Sequence, residues 1–184
     1  MKKYVRCKAC GYVMDEANLK DKCPACGIPK VVFEPDITIS PGRRFILDQH
    51  LHPISVHFPQ VFLLLILIMP LLSLLVNDSL RAEFLIVAKL AIFALPVTVL
   101  GGILTGLFDG KMRFKKLSTP LLINKIIVAI IFQILSLAIF ALYLYQGFAG
   151  ANLWLIVGLS VPATGCAVYL GRAGSSLFSA ILPG

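Results

Sequence analysis

The chain has 184 residues, 58% of them hydrophobic and only 14% charged, about half the charged share of a typical soluble domain, which excludes an ordinary water-soluble globule. Its net charge of +8, from 17 Lys and Arg against 9 Asp and Glu, would by itself suit nucleic acid, an acidic partner or an anionic membrane surface. Fifteen of the 26 charged residues fall in residues 1–53, so a small polar head precedes an oily body; the membrane explains both, and no nucleic-acid partner is expected.

The head comes first in the chain. No long apolar run precedes residue 53, so no cleaved secretory leader is expected. A polar segment of this size is too short to build a large core and needs a metal, disulfides or a partner to fold. It carries Cys7-Lys8-Ala9-Cys10-Gly11-Tyr12 and Cys23-Pro24-Ala25-Cys26-Gly27, two CxxC pairs separated by twelve residues. Two thiols three positions apart on a tight turn can point at one ion, and a second such turn completes a tetrahedral set of soft ligands suited to iron or zinc. Glycine after each pair lets the backbone bend so that amide N–H groups point at the sulfurs and spread the thiolate charge. Two disulfides would satisfy the same count, but a reducing compartment and the paired turns favour a metal.

The stretch from Tyr4 through Cys7, Cys10, Gly11 and Tyr12, then Cys23-Pro24-Ala25-Cys26-Gly27-Ile28-Pro29-Lys30, closing at Phe33, resembles the rubredoxin fold, in particular the short-loop version that ends rubrerythrins. The resemblance covers roughly the first 35 residues. It implies one iron that cycles between two oxidation states while held by Cys7, Cys10, Cys23 and Cys26. The rubrerythrin di-iron bundle has no counterpart, because no Glu-x-x-His helix occurs, so peroxidase activity of that kind is not implied. A zinc ribbon uses the same cysteine spacing and would hold the head together without electron transfer. With either metal all four positions are filled by protein, so the head is expected to carry or to scaffold and not to bind substrate on the ion.

Residues 37–53 read as a linker and membrane-surface segment, with a turn at Pro41-Gly42 and Arg43-Arg44 suited to anionic headgroups. All three histidines follow, His50, His52 and His57, in His50-Leu51-His52-Pro53-Ile54-Ser55-Val56-His57-Phe58-Pro59. Pro59 removes an N–H and would clash with the Ser55 carbonyl in a continuing helix, so the first span is expected to start there or to kink. The pattern His52-Pro53 with His57-Phe58-Pro59, together with Asp109-Gly-Lys-Met-Arg113-Phe114, is similar to a bacterial four-span membrane family of unknown function, some of whose members are fused to cytochrome-type domains. That implies a redox setting without naming an activity. Imidazole is a good haem ligand, and His57 and then His52 are the candidates for a b-type haem or for a hydrogen bond to quinone. Five residues of straight helix separate two side chains by about 7.5 Å of rise, so both could reach one iron only if the prolines break the segment or a second protomer contributes. His50 is read as an interfacial residue at headgroup level.

Four apolar stretches follow, 54–76, 84–108, 120–145 and 153–171, each longer than or close to the roughly 20 residues that cross a hydrocarbon layer of about 30 Å. A soluble helical bundle would need polar faces at a 3.6-residue period, which these lack. Nine Lys and Arg lie in residues 1–53, four in 109–119 and one at Arg172, against Arg81 alone in the other loops; the positive-inside bias therefore puts both ends in the cytoplasm. Lys89 and Lys125 are expected to snorkel, Gly102 and Gly106 to allow close helix packing, Gln133 to bond a neighbouring helix, and Cys166 to be a small packed residue.

The fold class expected is a small rubredoxin-like or zinc-ribbon-like β module, residues 1–36, a linker, 37–53, and an all-α transmembrane four-helix bundle, 54–184. The function expected is a one-electron carrier in the inner membrane, more an electron-transfer protein than an enzyme. Its partners would be the lipid bilayer, a cytoplasmic reductant and a membrane redox acceptor, with homo-oligomerisation open. The alternatives are a non-redox scaffold or sensor on a structural zinc ribbon, and a transporter of haem or metal entered through the histidines.

Overall fold

The computed structural model describes residues 3–35, 42, 45, 51–113 and 120–178. Most of the expected linker, with His50, lies outside the described residues, as do Lys115 and Lys116 of the basic loop.

In the head, alternation of side chains across a strand decides which residues face inward. Strand β1 (Tyr4–Cys7) buries Val5 and Cys7 and leaves Tyr4 and Arg6 half-buried. It is the central strand of an antiparallel sheet ordered β2-β1-β3, with β2 at Val13–Asp15 and β3 at Phe33–Pro35. The register sets Arg6 opposite both Val13 and Glu34, and Cys7 opposite Phe33. Two short 3-10 turns, Glu16–Asn18 and Lys30–Val32, complete the module. The first is capped by Asp15, whose carboxylate accepts from the Ala17 N–H at 3.1 Å. The interior is little more than Val5, Tyr12, Met14 and the cysteines.

Four helices follow: α1 (Leu51–Leu72), α2 (Asp78–Arg113), α3 (Pro120–Gln146) and α4 (Ala151–Phe178). All four are long and apolar enough to cross a membrane. They pack in a ring, α1 on α2, α2 on α3, α3 on α4 and α4 back on α1.

The hydropathy pattern hides how the helices recognise one another, because every face is apolar; burial reveals it. Along α1 the buried residues include Pro59, Leu63, Ile66 and Pro70, with Ser73 directly after its end; along α2 they include Ala88, Ile92, Leu95, Val99 and Gly102. Both sets step alternately by four and three, the a/d seam of helices packed at a shallow angle. Helices α3 (Phe132, Ser136, Ile139) and α4 (Ile156, Ser160, Ala163, Ala167) keep the same steps. Two contacts fix the antiparallel register of the first pair. A Cβ on Gly106 would lie 2.9 Å from the His52 ring, and one on Gly102 would lie 3.7 Å from Val56, which is the close approach expected of those glycines. That register brings Leu63 level with Leu95, and Ile66 with Ile92.

Hydroxyls on the seam bond within their own helices, Ser73 to the Pro70 carbonyl and Ser160 to that of Ile156, as groups removed from water must. Gln133 reaches across instead, its Nε2 donating to the Pro96 carbonyl of α2 at 3.3 Å.

The spans differ from the sequence expectation at their ends. Helix α1 starts at Leu51, runs through Pro59, and stops at Leu72 rather than 76. Pro59 is buried on the seam, so packing holds the helix together where the lost hydrogen bond alone would favour an end. Helix α2 is longer than expected at both ends, and α4 runs on past residue 171.

Polar and aromatic side chains mark where the hydrocarbon should lie. Lys89 to Asp109 on α2 and Lys125 to Tyr145 on α3 each span about 30 Å, and Trp154 to Arg172 on α4 about 27 Å, matching the apolar layer. His52, Asp109, Lys125 and Arg172 therefore share one end of the bundle, called here the head side because α1 begins there.

Candidate metal centre

The four-cysteine site is built from two copies of one backbone turn. In the first, the Cys7 N–H donates to the Tyr12 carbonyl at 2.9 Å and the Gly11 N–H to the Cys7 carbonyl at 2.8 Å. In the second, the Cys23 N–H donates to the Ile28 carbonyl at 2.7 Å and the Gly27 N–H to the Cys23 carbonyl at 2.8 Å. Gly11 and Gly27 have φ of 75° and 74°, the left-handed region that a side chain disfavours; this is the conformational reason for glycine after each cysteine pair. The pairing Arg6 with Val13 around the first turn is repeated by Lys22 with Pro29 around the second.

The two turns bring all four sulfurs within 4.8 Å of one another. Cys7 and Cys26 are 3.8 Å apart, as are Cys10 and Cys23. A tetrahedron with metal–sulfur bonds of about 2.3 Å has edges of about 3.8 Å, the separation of these two pairs, so the four sulfurs are spaced to take an iron or zinc ion. The same spacing is far beyond a disulfide bond of about 2.05 Å, and all four thiols are free.

The electrostatics of the site differ from one thiol to the next. At Cys7 burial pushes the thiol up, but the backbone amides of Cys10 and Ala9 with the neighbouring thiols outweigh it, and the net shift is downward. Burial dominates at the other two shifted sites: it pushes Cys10 well above the ordinary thiol range and Cys23 up to about 11. Burial of this kind favours the protonated thiols of Cys10 and Cys23, and a metal must displace those protons to bind. Loading apo protein with zinc at pH 7 is expected to release roughly two or more protons per ion, and apparent affinity to climb as pH rises toward the raised thiol values. An indicator-dye titration measures both; proton release near zero contradicts it.

Outside the cage, the Arg6 guanidinium lies 2.9 Å from Glu34, with the Lys8 ammonium 3.5 Å from its other oxygen. The Arg6 hydrogen bond, helped by Lys8, holds the Glu34 carboxyl below its usual range. These partly solvent-accessible pairs tie β1 and the residue after it to β3 and contribute little stability.

The two histidines expected as haem or quinone ligands, His52 and His57, do not converge. His52 faces α2, where its ring rests on Gly106 and Nδ1 is 3.4 Å from the Thr105 hydroxyl. Ser55 completes this seat, donating to the His52 carbonyl at 2.9 Å and lying 2.7 Å from the Thr105 oxygen. His57, five residues on in the same helix, is exposed on another face. Because Pro59 does not break α1, one chain does not bring these two imidazoles to a single ion. Thr105 and Ser55 were not singled out from the sequence; Gly106, one residue after Thr105, was the only pointer to them. Lys125, expected to snorkel, reaches along α4, its Nζ 4.0 Å from the Cβ position of Gly174.

Fold and geometry thus define a class: a small sheet module with four thiolates able to hold a metal ion, followed by four membrane-length helices. Residues 6–34 match the family model described as "Rubrerythrin, rubredoxin-like domain", so the head carries a rubredoxin-like domain. The match stops before the helices, and neither a curated protein nor a solved structure matches the chain.

Proposed function

We propose that the chain is a membrane-anchored one-electron carrier, in which Cys7, Cys10, Cys23 and Cys26 hold a single iron close to the bilayer. The observation that carries this is the closed four-sulfur cage in a rubredoxin-like domain, because a site with no free position cannot bind substrate but can exchange an electron through its ligands. When bound, iron supplies a reversible one-electron couple.

The residues of the chain supply the rest. Cys7 and Cys23 are buried and Cys26 is partly exposed, so the cage is shielded from water while one ligand stays near the surface. Amide N–H groups around the sulfurs spread thiolate charge and tune the potential. In this reading residues 1–36 form the carrier, 37–53 the tether and 54–184 the anchor, and a short tether raises the effective concentration of the head at its membrane acceptor. The excess of Lys and Arg on the head side supports a cytoplasmic head in an inner membrane. The donor is then a cytoplasmic reductant and the acceptor a quinone or a redox protein of the same membrane. His52, from within the seam, and His57, from the exposed face, are the side chains placed to meet an acceptor.

Metal analysis with visible absorption of natively produced protein tests this reading. The expected result is one iron per chain and a thiolate-to-metal band bleached by dithionite. Colourless protein with stoichiometric zinc overturns it in favour of a structural ribbon, and a Soret band would show that haem is bound as well.

A further inference from the structure

The two cysteine turns are equivalent in backbone, in glycine conformation and even in sequence, since Ala9 and Ala25 both precede the second cysteine of their pair. Local backbone alone would give the two alanines similar exposure, although Leu19, Val32 and Phe33 of the head also pack on this cluster. Yet Ala9 is exposed, while Ala25 is buried, at 5%. Something covers the second turn and not the first.

The buried cluster that contains Ala25 also contains Val5, Cys7, Cys10, Tyr12, Met14, Cys23 and one residue from the membrane helices, Leu122. Leu122 lies in the first turn of α3, at the head side, and only 7% of it is exposed. It sits one helical step before Lys125 and in line with the seam that continues through Phe132, Ser136 and Ile139. Its burial is nevertheless with the head, since it belongs to that cluster and not to the core of the bundle. The next residues, Ile123 and Asn124, are exposed.

We infer that the head docks on its own anchor: the second cysteine turn, Cys23–Cys26, seats on Leu122 at the start of α3 and caps the head-side mouth of the bundle. An apolar rung of the seam that would otherwise meet headgroups and water is covered by Ala25 and its neighbours, and burying such a contact is favourable. The first turn, with exposed Lys8 and Ala9, then faces outward. The two otherwise equivalent sides of the metal cage acquire different partners, a soluble one at the first turn and the membrane domain at the second. As a route for electrons this rests on the proposed function; as a contact it does not.

The test uses full-length protein in lipid nanodiscs, its cysteine site loaded with paramagnetic cobalt(II) or diamagnetic zinc(II), with leucine methyl groups carbon-13 labelled and Leu122 assigned through L122V. Cobalt is expected to shift or broaden the Leu122 methyl resonances and to leave those of Leu144, at the far end of α3, unchanged. Ala25→Glu should abolish the Leu122 effect, whereas Ala9→Glu, the same change at the equivalent position, should leave it intact; cobalt–thiolate absorption verifies that each head is loaded. Identical Leu122 signals in the cobalt and zinc forms overturn the contact, and so do equal effects of the two alanine substitutions. The wild-type comparison decides even if a variant fails to load. If the contact is found in protein that natively carries zinc, docking stands and the electron-carrier reading falls.

Discussion

Cys23→Ser is expected to empty the metal site and unfold the head while the four helices keep their melting behaviour. The strands of the head have only four, three and three residues, and few apolar side chains are buried among them. Chains below about 40 residues seldom fold without a crosslink or metal. A structural metal bound by four cysteines contributes on the order of 10 kcal/mol to folding, a large fraction of which vanishes with one thiolate. Metal affinity should fall by more than about a hundredfold, the upper figure for removing only a supporting group around a site. Trypsin then reads the consequence at Lys20 and Lys22, both exposed but framed by the two cysteine turns in the folded head. Elemental analysis showing full metal occupancy in the variant, or unchanged resistance to trypsin, would contradict this account.

A second large effect is expected at Asn152, in the anchor. Its side chain is buried, and Nδ2 donates to the Leu142 carbonyl at 2.8 Å and to that of Gly147 at 2.6 Å. Leu142 lies in the last turns of α3 and Gly147 follows its last residue, Gln146, where no further turn supplies a donor to the Gly147 carbonyl. Gly147 closes that end in a left-handed conformation, φ 58°, with its N–H donating to the Tyr143 carbonyl at 2.7 Å, the usual way a helix stops. One side chain thus ties the last turn of α3 to the first turn of α4. Asn152→Leu keeps the volume roughly constant but removes the amide from both carbonyls and leaves that of Gly147 without this donor, so it should cost about 2 kcal/mol. Thermal unfolding in detergent should show a lowered midpoint for the helices with metal content unchanged; an unaltered midpoint would mean that lipid or water replaces the amide without loss.

The contrast between head and anchor also explains what could be read from the sequence. The cage was legible in full, because two CxxC turns with a following glycine constrain both chemistry and backbone, and Cys7, Cys10, Cys23 and Cys26 meet at tetrahedral spacing. Span number was legible from hydropathy, and the pairing role of Gly102 and Gly106 from their four-residue spacing. The seam was not. With apolar residues on every face, no periodicity separates Leu63 and Ile66, which are buried, from Leu64 and Ile68, which are exposed; only the neighbouring helices make that distinction. At position 59 local strain favours a start or a kink, and of these the start is excluded, because α1 already begins at Leu51 and burial on the seam carries it through the proline. The fate of the histidines was hidden for the same reason: which face of α1 meets α2 decides that His52 is enclosed and His57 is not. Leu122 could not be singled out at all, because its partner lies about a hundred residues earlier in the chain.

The unequal lengths of the two helical hairpins shape the far surface of the protein. Helix α2 begins at Asp78, eleven residues before Lys89, so its first three turns rise about 16 Å past the level set by that lysine. The hairpin between α3 and α4 turns within residues 147–150, next to Tyr145 and Trp154. At the end of the bundle opposite the head side the first hairpin therefore reaches further than the second, and its longer end is tipped by exposed Leu75 and Leu80 with Asp78, Arg81 and Glu83 beside them.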